Sequence, residues 1–478
     1  MDIKKISDGI RKQVASDVER LKAQGIDPKL AVILVGGDEA SLMYAQTKKK
    51  VAEKLGIAVE IESFPADISQ SELERKISEK SRDPKIHGLL LESPFPEGLD
   101  YAKALARVDP LKDIDGLHVE NLGKLQSGDI DSAILPATPL ACLRLMELLG
   151  GSVAGKTVVL VGSGRTVGKP LAMLLVREMA TVIACNSRTK NVRELCLIAD
   201  FVVSAVGKPG LITADMVHGG SVVIDVGTAF DPDGKMVGDA DYEAVGKVAK
   251  FVTPVPGGVG TITTGIVFQN LVRAIGLQRQ RDHFDLSMND FFALASGPTM
   301  PGGGGISAVA GILGASMASM VFSLTRDLGN DASSRKIPEL AESLKRLYRA
   351  DIGAFDAYLA GLKLPKDTAE QKEARSAVLQ AALLNACEIP LEFGEVSLEL
   401  LRICRECAET GNKLVISDVS VAIRLIRTAV QSSFEAIDAN LKSIRDEKVS
   451  ANIRERKNRI LEQAEALSEA GLSIVSQR

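Results

Sequence analysis

At 478 residues the chain exceeds one ordinary domain of roughly 150 residues, so two to four domains are expected. Its 58 basic and 62 acidic residues are well mixed, with a net charge of -4, which leaves no basic stripe for nucleic acid. The charged, amphipathic start MDIKKISDGIRKQVASDVERL lacks the apolar core and cleavage site of a secretory signal, and a cytoplasmic protein is expected.

Up to about residue 277, short apolar runs alternate with helical stretches: KLAVILVGG, AVEIESF, IHGLLLE, TVVLVG, TVIAC, FVVSAVG and SVVIDVG. That alternation predicts a parallel α/β architecture. An irregular section rich in Asp, Pro and Gly, from Pro94 to Pro136, is expected to divide this half into two lobes with a cleft between them. The expected lobes are residues 1–140, completed by a closing helix at about 262–277, and residues 141–261. The third run ends GLLLESPFP, so an apolar strand stops on the carboxylate of Glu92 and two prolines. Full exposure of that acid is not expected.

The run TVVLVG leads directly into Gly162, Ser163, Gly164, Arg165 and, three residues on, Gly168, before the helical LAMLLVREM. Glycines at a strand-to-helix turn let the backbone approach a pyrophosphate, whose charge the helix N-terminus stabilises. A tight turn without a ligand is the plain alternative. The next strand, TVIAC, is followed by Ser187 and Arg188 in place of an acid for a ribose 2′-hydroxyl, which favours NADP over NAD.

After the polar QRQRDH at 278–283 the strand-like runs vanish, and apolar residues recur at three and four, predicting an all-α helical bundle over 284–478. Phe291 to Thr325 carries no charge, and its segment ISAVAGILGASMASMVFSL has about the length of a membrane span, but its Ser, Ala and Gly content makes it poorly hydrophobic. Ala310, Gly314 and Ala318, and likewise Ser307, Gly311, Ala315 and Ser319, form stripes of small residues suited to the central helix of a tight bundle. Cys404 and Cys407 form a CxxC with no histidine nearby in sequence, so one face of a helix is the reading preferred to a metal site, and no metal is expected.

Assembled, the first half resembles the bifunctional methylenetetrahydrofolate dehydrogenase/cyclohydrolase family. The resemblance rests on Tyr44-AQT-Lys48, GLLLESPFP, KDIDG around Asp115, PATP at 136–139, VGSGRTVGKP, ADFVVSAVGKPG, VVIDVG and TPVPGGVGTIT at 253–263, in family order. It implies oxidation of 5,10-methylenetetrahydrofolate by NADP in a Rossmann-like lobe, with folate in the cleft. By resemblance Tyr44 packs on the folate, Lys48 is the catalytic amine, Asp115 holds the pteridine, and Pro256, Gly257 and Gly258 line the cleft. Three departures stand out. Ser163 and Gly164 replace the family's Arg-Ser, with Arg165 one step later and placed to reach the same phosphate. Thr261 replaces a proline. Glu92 stands where the family carries glutamine beside the lysine, and a carboxylate there favours the ammonium, a poor base.

Residues from about 285 resemble the cyclodeaminase domain of formiminotransferase-cyclodeaminases and its methenyltetrahydrofolate cyclohydrolase relatives, through ALASGPTMPGGGG, RADIGAF, KLPKDTAEQKEAR and GNKLVISDVSVA. Gly302, Gly303 and Gly304 before a helix either cradle an anionic part of folate or permit close packing. Asp351 and Asp418 are the candidate polar groups, each alternatively a helix-capping acid. Gly305 replaces a serine usual in that family. The expected function is therefore methylenetetrahydrofolate oxidation in the first half and hydrolysis of the methenyl product to 10-formyltetrahydrofolate in the second. The alternatives are a formiminotetrahydrofolate cyclodeaminase or a non-catalytic dimerisation scaffold in the second half. Expected partners are the folate substrate and a second copy of the chain, with no nucleic acid and no membrane.

Overall fold

The computed structural model describes every residue except 1–2, 37–38, 298–301 and 326–331, and every side chain but those of 39–41 and 44 as well. Two compact units result, Met1–Leu286 and Ser287–Arg478.

In chain order the first unit contains α1 (Ile3–Ala23), β1 (Lys29–Val35), α2 (Glu39–Lys54), β2 (Ala58–Phe64), α3 (Gln70–Arg82) and β3 (Gly88–Leu91). Then come α4 (Tyr101–Leu105), α5 (Val119–Ser127), α6 (Ala137–Gly150), β4 (Thr157–Val161), α7 (Gly168–Arg177), β5 (Thr181–Cys185), α8 (Val192–Leu197), β6 (Phe201–Ser204) and β7 (Val222–Asp225). The unit ends with the short pair β8 (Ala229–Phe230) and β9 (Met236–Val237), then α9 (Tyr242–Gly246), β10 (Phe251–Val252) and α10 (Val259–Gln280).

The strands form two parallel sheets, ordered β2-β1-β3 and β10-β7-β6-β4-β5, with β8 and β9 pairing antiparallel on their own. Strands such as KLAVILV are buried along nearly their whole length, as parallel strands covered on both faces must be. One continuous apolar core runs through α1, β1, α6, β4 and α10, so the two sheets share packing. The section 94–136 is less irregular than its composition predicts. Asp100 caps α4 by accepting from the Ala102 and Lys103 amides, and the His118 ring caps α5 through the Glu120 amide. Capping of this kind stabilises helices too short to announce themselves by periodicity.

The second unit is helical: α11 (Met288–Ala295), α12 (Gly302–Ser323), α13 (Ala332–Leu362), α14 (Ala369–Thr410), α15 (Ile416–Leu441) and α16 (Glu447–Ser476). The small residues of α12 allow the approach their spacing predicts. A Cβ on Gly311 would lie 3.1 Å from the Phe393 ring, and one on Gly314 would lie 2.6 Å from Ile426. Among the described helices α12 alone is long and apolar enough to cross a membrane, but half of its apolar stretch is buried within the unit. Cys404 and Cys407 are both buried on α14, and burial pushes the Cys407 thiol up to about 12.

Candidate active site

Lys48 projects from α2 and Glu92 follows β3, whose ladder continues one residue further as the Glu92 amide donates to the Ile33 carbonyl at 3.0 Å. The ammonium of Lys48 donates to Oε1 of Glu92 in a direct ion pair. The Glu92 side chain is only 11% exposed, so the acid that ends the apolar strand is largely buried with its lysine partner. Tyr44 lies one turn before Lys48 in α2, and its side chain is outside the described residues.

Asp115 completes the cluster. Burial pushes its carboxyl above the usual carboxylate range, the Lys48 ammonium pulls it back, and Glu92 pushes it up again. Two carboxylates thus face one ammonium. The loop carrying Asp115 is clamped by α10, where Asn270 Nδ2 donates to the carbonyls of Ile114 and Leu135, each at 2.9 Å. Asp113, two residues earlier, is buried and turns inward, accepting from the amides of Gly116 (3.2 Å) and His118 (2.6 Å). Burial raises its carboxyl to about 7.

The glycine turn joins β4 to α7. Gly162 has φ +105°, and a Cβ there would lie 2.6 Å from the Ala205 carbonyl oxygen. A Cβ on Gly168, the first residue of α7, would lie 2.0 Å from the Gly162 carbonyl oxygen, so the turn folds onto the helix start only with glycine at both places. Gly164 has open space around it and Ser163 is half-buried. The chain can therefore present the amides of this turn and of the helix N-terminus to a pyrophosphate, and the residues present fit a dinucleotide. Ser187 and Arg188 are exposed beyond β5, in a turn shaped by Asn186, whose Oδ1 accepts from the Arg188 amide at 2.9 Å. Gly257, with φ +102°, and Gly258, the N-cap of α10, follow Pro256 at the start of that helix.

Two features went unmarked in the sequence. Tyr101, at the start of α4, has its ring under the Arg165 guanidinium, 4.5 Å from the centroid. Burial first, then the Asp115 and Asp113 carboxylates, hold its phenol well above the usual range. Nothing in DYAKAL distinguishes this tyrosine from an ordinary core residue. The second feature is a pair of buried acids behind the nucleotide face. Asp225 accepts from the amides of Gly227, Asp239 and Ala240, while Asp239 accepts from the Ser204 hydroxyl and the Val206 and Lys208 amides. They tie down the loops after β6 and β7, a role VVIDVG hints at only by ending a buried strand in an acid.

In the helical unit, Asp351 on α13 rests against the glycine run of α12. A Cβ on Gly304 would lie 2.4 Å from its Oδ2. Burial pushes the Asp351 carboxyl up, and among the described residues it has no hydrogen-bond or ion-pair partner. Gly302, with φ +57°, and Gly303 are exposed. Asp418 lies elsewhere. It belongs to the first turn of α15, which runs antiparallel to α12, with Asn412 bonded to Thr325 and Leu324, and Ala422 beside Gly314. Asp418 therefore falls near residue 318, roughly 20 Å along α12 from Gly304 at 1.5 Å per residue. The two aspartates do not share one site.

A two-lobed α/β unit with a glycine turn facing a lysine–carboxylate cluster defines a dinucleotide-dependent enzyme acting on a substrate in the cleft. Residues 1–115 match the catalytic domain, and residues 136–279 the NAD(P)-binding domain, of the tetrahydrofolate dehydrogenase/cyclohydrolase family; residues 287–459 match the formiminotransferase-cyclodeaminase family. The bifunctional protein FolD 2 of Desulfitobacterium hafniense is 42% identical over 280 residues, 59% of this chain and 98% of that protein. FolD of Moorella thermoacetica is 44% identical over 274 residues, 57% and 97% of the two chains. Among solved structures, the Campylobacter jejuni FolD dehydrogenase/cyclohydrolase has a TM-score of 0.56 at 35% identity, covering 59% of this chain and 98% of that one. The Trypanosoma brucei dehydrogenase-cyclohydrolase, complexed with NADP and an inhibitor, has a TM-score of 0.55 at 32% identity, covering 59% and 97%. The chain belongs to the tetrahydrofolate dehydrogenase/cyclohydrolase family, and its residues 287–459 are similar to the formiminotransferase-cyclodeaminase family.

Proposed function

We propose that the first unit is an NADP-dependent 5,10-methylenetetrahydrofolate dehydrogenase and that the helical unit hydrolyses its methenyl product. In the first step a hydride leaves the methylene carbon for the nicotinamide, and the folate becomes a cationic amidinium. Lys48 and Asp115 position the folate in the cleft, with Tyr44 against its ring and Pro256, Gly257 and Gly258 at the cleft wall. Glu92 and Asp115 supply negative charge next to the developing cation, which favours oxidation.

The observation that carries the division of labour is the Lys48 to Glu92 ion pair. Hydrolysis adds water to the amidinium carbon and requires a proton acceptor. An ammonium engaged by a carboxylate is a poor acceptor, whereas hydride transfer needs no free amine. Hydrolysis then falls to the helical unit, where Asp351, half-buried and unpaired among the described residues, is the candidate base beside Gly302, Gly303 and Gly304. The buried cysteines suit a reducing cytosol.

The family match at 287–459 favours one second reading, release of ammonia from formiminotetrahydrofolate by the helical unit. Relatives spanning only the first unit's length support its independent folding, so residues 1–286 can be assayed alone against the full chain. The fragment should oxidise methylenetetrahydrofolate with NADP at the full-chain rate and lose most methenyl hydrolysis. Equal hydrolysis by fragment and full chain overturns the assignment, and ammonia release by the full chain from the formimino substrate selects the second reading.

A further inference from the structure

The side chain of Arg165, in the glycine turn, reaches Tyr101 of the first sheet's half of the unit. Its guanidinium lies over Tyr101, and the Tyr101 ring is held in turn by Phe95, edge to face at 5.1 Å and 68°. Tyr101 is only 8% exposed, so the platform is fixed while Arg165 above it is open to solvent. Together with Ser93, Pro94, Leu99 and Asp100 they line a pocket of about 630 Å³.

What the guanidinium leaves unused matters most. Its Cζ lies 4.5 Å from the ring centroid, a contact between cation and ring that uses none of its five N–H donors. Among the described residues Arg165 has no hydrogen bond or ion pair. The neighbouring Asp100 caps α4, its Oδ1 accepting from the Ala102 and Lys103 amides, and makes no ion pair with Arg165. Arg165 lies three residues before Gly168, where α7 begins and its amides converge. A planar cation with free donors, clamped beside a helix N-terminus, suits a phosphate diester. Its direction also matters. Ser187 and Arg188 follow β5, the edge strand of the nucleotide sheet, whereas Arg165 leans the other way, over the folate lobe.

We propose that Arg165 binds the pyrophosphate of the dinucleotide, not the 2′-phosphate, and that Tyr101 is the positioning residue that holds it there from the opposite lobe. The inference rests on the dinucleotide reading of the glycine turn. It makes cofactor affinity depend on a residue of the folate lobe.

The test is equilibrium binding of NADPH and of NADH to the full chain, followed by nicotinamide fluorescence, with folate affinity measured in parallel. Arg165→Gln should weaken both cofactors by the same factor, about tenfold or more, as expected for a lost charge-assisted contact. Tyr101→Leu should weaken both about threefold through loss of the stack, Tyr101→Phe should retain wild-type binding, and Arg165→Lys should fall between wild type and Arg165→Gln. Adding Tyr101→Leu to Arg165→Gln should cost nothing further, since the tyrosine acts only through the arginine. Loss confined to NADPH, loss confined to folate, or full additivity of the two substitutions overturns the proposal. If the wild type binds neither dinucleotide, the reading of the turn falls with it; if the wild type binds and the variants match it, only the role of Arg165 and Tyr101 falls.

Discussion

Lys48 and Glu92 come from a helix and a strand end separated by 44 residues, and their charged groups meet directly inside the cleft. With Asp115 beside them, the site holds two carboxylates for one amine. Substituting Glu92→Gln keeps the shape and hydrogen-bonding capacity but removes the negative charge paired with Lys48. In the fragment 1–286, methenyl hydrolysis should rise at least several-fold, with oxidation by NADP falling as the negative charge facing the amidinium is lost. Stopped-flow assays of both reactions check this. Unchanged hydrolysis, or a parent fragment already as fast as the full chain, would show that the ion pair does not silence Lys48.

Arg188 tests the choice of cofactor. Its exposed position in the turn after β5 suits a contact to the 2′-phosphate only. Arg188→Ala should therefore weaken NADP by roughly 1.5–3 kcal/mol, the range for a charge-assisted hydrogen bond, and leave NAD nearly unchanged. Equal loss for both cofactors refutes the assignment.

Much of this architecture is legible from residue patterns because it obeys local rules. Parallel strands buried on both faces read as apolar runs, and the glycine turn reads as such because Gly162 and Gly168 admit no Cβ. Glu92 is visible as an acid interrupting an apolar strand, though its partner is not, since sequence distance says nothing of a contact made by tertiary packing. Tyr101 escapes for the same reason. Its significance comes from Arg165, which reaches it across the cleft. The α4 and α5 helices are hidden by shortness, their stability coming from caps that look like loop residues. In the helical half, small-residue spacing shows which helix is central but not which acids lie near it, so Asp351 and Asp418 look equivalent until the antiparallel run of α15 separates them.

Asp113 gives a pH signature of stability. Its carboxyl is raised from an ordinary value of 3.8 to about 7, so between those values the folded protein holds a proton that the unfolded chain has released. Stability contributed by this group is then lost as pH rises from about 4 to about 7. Asp113→Asn cannot ionise, and its amide oxygen can still accept from Gly116 or His118. Thermal melts should show the variant losing about 1 kcal/mol at low pH, for one forfeited hydrogen bond, and a flatter profile than wild type between pH 4 and 7. An identical slope in both proteins excludes Asp113 as the titrating group.

Asp351 and Gly304 test the helical site together. In the full chain, Asp351→Asn should reduce methenyl hydrolysis at least tenfold, the lower end for loss of a positioned base, while leaving methylenetetrahydrofolate oxidation unchanged. Because burial raises this carboxyl, wild-type hydrolysis should fall as pH drops through a value above the usual carboxylate range, and that limb should vanish in the variant. Gly304→Ala separates chemistry from stability. Its methyl would lie 2.4 Å from Asp351 Oδ2, so the carboxylate must move, whereas alanine in place of glycine favours the helix itself by about 1 kcal/mol. Hydrolysis should therefore fall in Gly304→Ala without a loss of helical content by circular dichroism. If both variants hydrolyse at the wild-type rate, the helical unit is a scaffold, and the Lys48 cleft must carry both reactions despite its ion pair.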